Sequence, residues 1–209
     1  MASKSRKNRV KFKWTKELSF LIGFLVVLIV AAIVLSIPSR AEKQLSEINQ
    51  AITTYNTANE ASYSTIGKNN HLAVLSHSDL VNQKNDSNYT IVWYGSLSDG
   101  VYLEQIYHFD DYATRYEVAK VYLYYNTFVE EAVANEITDT LSYKNDLKTM
   151  EDELNGSKDP DATDIDLASY PAIFVFKEGK LIYNSQVAGE SSQYNYDVHF
   201  TKAFGYTKL

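Results

Sequence analysis

No cysteine occurs in the 209 residues, and that absence excludes more than any other feature. Without a thiol the chain can hold no disulfide, no cysteine nucleophile, no thiolate zinc ligand and no cysteine-held iron–sulfur cluster, and dithiol redox chemistry is ruled out. Proline (3) and glycine (8) are scarce. That argues against a collagen-like or low-complexity chain, and the 45% hydrophobic fraction favours a folded body. His71, His77, His108 and His199 include no pair at the i, i+4 spacing of a helical zinc motif. No Gly-x-Ser-x-Gly elbow, phosphate-cradling glycine loop or dinucleotide fingerprint occurs, so hydrolase and nucleotide readings lack their usual support and neither a metal nor a cofactor is expected.

What is present is divided unevenly by charge. Residues 1–17 carry seven cations (Lys4, Arg6, Lys7, Arg9, Lys11, Lys13, Lys16) against Glu17, so the net charge of −6 leaves −12 for the remaining 192 residues. Leu18 to Ile37 follows, twenty residues without a charge and rich in Leu, Ile, Val, Phe and Ala. As a helix it would be about 30 Å long, the thickness of a bilayer's hydrocarbon core. The sequence thus predicts a basic cytoplasmic tail (1–17) and a transmembrane helix (18–37). The positive-inside rule puts the acidic remainder on the extracytoplasmic side. The run is longer than a signal-peptide core of about 7–15 residues, so an uncleaved anchor is expected rather than a cleaved leader ending near Ser39-Arg40-Ala41. The tail needs no nucleic-acid partner, because the adjoining span accounts for its charge.

Residues 38–69 read as a helical stalk and linker. Leu45, Ile48, Ile52 and Tyr55 fall on one stripe of a helix. Such a stripe commonly packs on its own domain. It also fits the seam of a short parallel coiled coil, which would pair two copies of the chain. Ser62 to Asn70 is polar and turn-rich, the expected boundary to a domain over 70–209.

In that domain helices and strands alternate. Ser76-His77-Ser78-Asp79 has the spacing of a helix cap, leading into a short helix that ends near Asn85. Tyr89 to Tyr94 is apolar on both faces, as an interior strand requires. Leu103, Ile106, Phe109, Ala113 and Tyr116 share a helix face, and Val118 to Tyr125 reads as a strand. Val129 to Leu141 marks a further helix, and Leu147, Met150 and Leu154 continue it or form another. Residues 155–168 read as an acidic loop. Ala172 to Phe176 and Leu181 to Ser185 form a hairpin about Lys177-Glu178-Gly179-Lys180, with Gly179 where a positive φ is needed. Tyr196, Phe200 and Phe204 mark a closing helix. The fold class is α/β: a mixed central sheet flanked by helices.

Two segments resemble the thioredoxin-like family: Thr90-Ile91-Val92-Trp93-Tyr94-Gly95, and Tyr170-Pro171-Ala172-Ile173-Phe174-Val175-Phe176-Lys177-Glu178-Gly179-Lys180, similar to that family's proline-led strand and Lys-x-Gly turn. The likeness spans roughly 70–205, with an insertion near 140–168. It implies a cis Tyr170–Pro171 bond. Asp99 and Tyr102 stand in the family's two cysteine positions, and neither exchanges electrons. The resemblance therefore implies a scaffold without its chemistry, and a peptide-holding surface at Asp99, Gly100, Tyr102, Tyr170 and Pro171. Anchored thioredoxin-like proteins of Gram-positive bacteria, including accessory proteins of bacteriocin export, are similar in layout.

The residues themselves admit simpler roles. Asp99 at a helix start can cap free amides and meet the positive end of the helix dipole. Tyr102 either covers the sheet edge or, exposed beside a groove, anchors a partner. Asp159, Asp161, Asp164 and Asp166 are oxygen ligands of the kind calcium takes, but their spacing departs from the calcium loop with glycine sixth and glutamate twelfth, and a solvated acidic loop is the expectation. The seventeen tyrosines fit core edges, with a sugar- or peptide-stacking patch as the sharper alternative. Together these features predict a membrane-anchored, redox-inactive module that binds a protein or peptide partner in the cell envelope. A structural spacer of a membrane assembly and a non-thiol wall hydrolase using Asp99 are the alternatives.

Overall fold

Arg40–Asn59 forms a twenty-residue helix, α1, on which Ile48 and Ile52, one turn apart, are almost fully buried. In this computed structural model the described residues are 16, 19–20, 23–28, 39–76, 79–80, 89–125, 140–169, 171–186 and 195–208. The chain divides into two units, Met1–Ser39 and Arg40–Leu209. In the first, residues 16, 19–20 and 23–28 are helical and Phe20, Phe24 and Leu25 are exposed. Among the described residues no helix is long and apolar enough to cross a membrane; most of the Leu18 to Ile37 run lies outside them.

The second unit begins at Arg40, so α1 belongs to it. Of the two roles the sequence allowed the stripe, packing on its own domain is the one observed: Ile48 and Ile52 join the same core cluster as Trp93, Leu103 and Phe200, with Leu45 and Tyr55 packed against it. The chain after α1 is fastened back along it by two asparagines. Asn49 Nδ2 donates to the Ile66 carbonyl (2.9 Å) while its Oδ1 accepts from the Ile66 amide (2.7 Å). Asn56 does the same with Tyr63, both bonds 2.9 Å. Each amide side chain imitates a backbone pair, which satisfies a returning chain that has no sheet or helix of its own.

Five strands follow: β1 (Leu72–Val74), β2 (Tyr89–Gly95), β3 (Val121–Tyr125), β4 (Ala172–Lys177) and β5 (Lys180–Asn184). Their order is β1-β3-β2-β4-β5. β1 and β2 run parallel to β3, whereas β4 is antiparallel to β2 and to β5. Helix α2 (Gly100–Tyr116) connects β2 to β3, α3 (Thr140–Asn155) precedes β4, and α4 (Tyr196–Gly205) closes the unit with a 3-10 turn at Tyr206–Lys208. The α/β class, with a mixed sheet flanked by helices, is thus observed.

The sheet is buried on both faces because its strands are apolar at successive positions. One face, with Ile91, Trp93, Ile173 and Val175, packs on Ile48 and Ile52 of α1, Leu103, Ile106 and Phe109 of α2 and Phe200 and Phe204 of α4. The other, with Val92, Tyr94, Tyr124, Phe174 and Phe176, meets Met150 and Leu154 of α3. It is also covered by Ala162, Ile165 and Leu167 of the acidic loop. That loop is therefore a fitted cover whose apolar residues are buried while Asp161, Asp164 and Asp166 stay exposed. Asn155 brackets Ile165 through both backbone groups (3.0 and 2.7 Å), Asp159 donates its amide to the Leu181 carbonyl (2.8 Å), and the Tyr94 hydroxyl donates to the Leu167 carbonyl.

Two boundaries move for local reasons. β3 starts at Val121, not Val118, because Glu117 adopts a left-handed cap (φ 58°) and the amides of Glu117 and Val118 are spent on Thr114 and Ala113 carbonyls. The hairpin turn has positive φ at both Glu178 (52°) and Gly179 (74°), the twist a two-residue connection between antiparallel strands requires. The expected helix over Val129 to Leu141 lies almost wholly outside the described residues, as does most of the one from Ser76 to Asn85.

Candidate partner-binding site

β2 ends at Gly95, and the chain turns through Ser96–Asp99 with the Asp99 amide donating to the Ser96 carbonyl (3.1 Å). Ser96, nearly fully buried, sets its Oγ 2.7 Å from that of Ser98 and accepts from the Ser98 amide. Asp99 is the N-cap of α2: it is extended (φ −90°, ψ 120°) and its Oδ1 accepts from the Tyr102 amide at 2.7 Å. The capping role offered for Asp99 by the sequence is what its carboxylate performs.

Two glycines frame this turn, and each admits a tyrosine. A Cβ on Gly95 would sit 2.1 Å from the Tyr102 ring; a Cβ on Gly100 would sit 2.1 Å from the Tyr55 hydroxyl. Tyr102 is fully buried, stacked on Trp93 with centroids 5.7 Å apart, and its carbonyl accepts from Trp93 Nε1 (3.2 Å). It is therefore a cover for the end of the sheet, and the exposed-anchor role is corrected: the stacked indole and the missing Cβ of Gly95 draw the phenol inward. Gly100 lies under Tyr55. Pro171 is half-buried and immediately precedes β4. The register Tyr94↔Ala172 brings it to the same end of the sheet as Gly95. Tyr170, and with it the Tyr170–Pro171 bond, lies outside the described residues.

The outward face of the site comes from residues the sequence reading did not place in a site. Tyr55 stacks on Tyr63 with centroids 5.5 Å apart. Tyr196, the first residue of α4, meets Trp93 edge-on at 5.7 Å. Burial pushes the Tyr196 phenol up to about 12, helped by the nearby carboxylates of Asp99 and Glu104. Tyr63 is raised as well, first by burial and then by Glu104, Tyr55 and Asp99. Two acids thus lie close to tyrosines delivered by three separate segments. Beside them, a shallow groove of about 450 Å3 runs between α1 and the turn, lined by Glu47, Ala51, Tyr55, Asn59, Leu97 and Ser98. Ser98, Val101 and Glu104 are exposed around it. Only the tyrosine load hinted at this surface, because Asp99 lies 44 residues from Tyr55 and 97 from Tyr196, separations that leave no spacing to read.

The other candidates are dispersed. Asp159 Oδ1 accepts from the Asp161 amide, Asp164 pairs with Lys158 at 2.7 Å, and Asp166 accepts from the Ala168 amide and the Ser169 hydroxyl. Among the described residues no three His, Asp or Glu side chains are grouped to hold a metal ion. His71 faces Asp110 (3.1 Å) and His199 faces the Tyr183 hydroxyl (2.6 Å), each in a different part of the unit. Comparison with known protein families, with characterised proteins and with solved structures gives no match.

Proposed function

We propose that the chain is a single-pass anchor carrying a redox-inactive, thioredoxin-like module, and that the module holds a protein or peptide partner of the cell envelope. The reading of the scaffold is supported by the strand order β1-β3-β2-β4-β5, with β4 and β5 reversed, and by a helix that starts directly after β2 beside the proline-led β4. The absence of cysteine removes dithiol chemistry and leaves the binding surface. The carrying observation is the groove along α1 that opens at Leu97 and Ser98, next to the Asp99 cap. It offers a partner a shallow bed lined by Tyr55 and Glu47, beside the Asp99 end of the surface where the resemblance puts a peptide.

The test is position-specific photocrosslinking in intact cells, with the reactive side chain at Ser98 or Val101 and a control at exposed Glu178 on the hairpin. A discrete adduct from the first two positions and none from the third supports the reading. The same adducts from Glu178, or none at all, removes the site from this surface.

A further inference from the structure

We propose that the cavity between the first turn of α1 and the edge strand β1 binds the anionic headgroup of a phospholipid in the leaflet from which the chain emerges, a step that rests on the anchored reading above. The cavity has a volume of about 540 Å3, within the range of small-ligand sites. Leu45, Leu72 and Val74 line it together with three cations, Arg40, Lys68 and Lys120. These arrive from three segments: Arg40 opens α1, Lys68 follows the Ile66 bracket held by Asn49, and Lys120 sits in the link between the α2 cap and β3.

Concentrating three cations at one mouth is costly unless an anion joins them, and it runs against the −12 carried by the rest of the chain beyond the basic tail. Two acids also line the cavity, Glu42 and Asp79. Asp79 accepts from the Ser76 hydroxyl (2.6 Å) and amide (3.3 Å); these bonds, and after them the charge of Arg40, hold its carboxyl below the usual range, so Arg40 already faces one anion. Lys68 and Lys120 are exposed and, among the described residues, neither forms an ion pair. The location supplies the occupant. Only Pro38 and Ser39 separate Ile37 from Arg40, a reach of about 10 Å at most. On the anchored reading that tether holds Arg40, the first residue of the lining, within roughly one screening length of the headgroup charge. An apolar floor with a cationic rim suits a phosphodiester still attached to its glyceride.

The full chain in lipid nanodiscs provides the test, read by hydrogen exchange of the backbone amides of 41–45 and 72–74. Discs of phosphatidylcholine with phosphatidylglycerol should slow exchange at least about five-fold relative to phosphatidylcholine alone, the effect expected of one cation at an anionic surface. Lys68→Glu/Lys120→Glu should abolish the difference, and Lys180→Glu, exposed on β5, should keep it. Free glycerol phosphate added to phosphatidylcholine discs should do nothing; protection by it would assign the cavity to a soluble phosphoester and overturn the proposal. Co-elution with the discs but identical exchange in both overturns the cavity assignment alone. Failure to co-elute overturns the anchor, and this proposal with it.

Discussion

The Tyr55 hydroxyl lies where a side chain on Gly100 would begin, 2.1 Å from the ideal Cβ position. α1 therefore presses directly on the start of α2, and only the smallest residue lets it. The sign of a Gly100→Ala change should depend on Tyr55. With Tyr55 present, alanine forces the phenol aside and costs about 1–3 kcal/mol in urea unfolding. With Tyr55→Ala, the same change should be neutral or gain a few tenths of a kcal/mol, because alanine is the better helix former. Gly95→Ala should cost more than Gly100→Ala, since the Tyr102 ring it would strike is fully buried and stacked on Trp93.

Asp99 serves the fold through one bond to the Tyr102 amide, and it acts on Tyr196 through its charge. The two roles separate by substitution. Asp99→Ala should lose about 1 kcal/mol of stability, while Asp99→Asn, which can still cap, should lose little. Both should lower the Tyr196 phenol from about 12, because a neighbouring carboxylate opposes phenolate formation. Tyrosine ring NMR titration measures it; an unmoved Tyr196 in Asp99→Asn would show that burial and Glu104 set its value without Asp99.

Much of this architecture was legible in local pattern. Interior strands read correctly because burial on both faces demands unbroken apolar runs, as in Tyr89–Gly95 and Ala172–Lys177. The hairpin turn and the Asp99 cap read correctly because each needs a particular residue at one position. β1 escaped because three residues show no period. The place of α1 could not be read, since the stripe of Leu45, Ile48, Ile52 and Tyr55 is the same whether it meets a second helix or its own sheet. The cover formed by the acidic loop escaped because Ala162, Ile165 and Leu167, which it buries, are held by Asp159, Asn155 and Glu151 and not by helix or strand geometry. Tyr102 misled because its burial is decided by Gly95, seven residues earlier.

Alkaline pH should loosen the unit. The phenols of Tyr183 and Tyr196 are both pushed up to about 12, chiefly by burial, from an unfolded value of 10.0. The unfolded chain gives up these protons first, so the stabilisation is complete below about pH 10 and is lost as pH rises through about 12. Lys177, raised by its bond from Nζ to the Tyr89 hydroxyl (2.9 Å), acts in the same direction. Urea midpoints measured from about pH 9 to pH 11 should fall, and the fall should flatten in Tyr183→Phe and in Tyr196→Phe. Equal slopes in all three proteins would place the loss elsewhere.

Asn49 should be worth more than its size. Replacing it by alanine leaves both the amide and the carbonyl of Ile66 without their partner, and a cost of about 1–3 kcal/mol is expected. Asn49→Asp keeps the acceptor for the Ile66 amide but turns a carboxylate toward the Ile66 carbonyl, so it should destabilise while preserving slow exchange at that amide. In Asn49→Ala the Ile66 amide should exchange faster, with Tyr63, held separately by Asn56, little affected.

The sharpest test of where α1 belongs is Ile52, which is fully buried among residues of the sheet and of α2 and α4. If the helix were a separate stalk, Ile52→Ala would leave the unfolding transition of the second unit untouched and change only self-association. Buried as it is, the truncation should cost about 2–5 kcal/mol, and Ile52→Val about 1 kcal/mol. Both are read from urea unfolding of the full chain followed by the fluorescence of buried Trp93, with Trp14→Phe as the background so that a single indole reports. Removing residues 39–61 altogether should then abolish the cooperative transition, because it strips Ile48, Ile52 and Tyr55 from the core they share with Trp93, Leu103 and Phe200. A truncated chain that still unfolds cooperatively at the same urea concentration would return α1 to the role of a stalk.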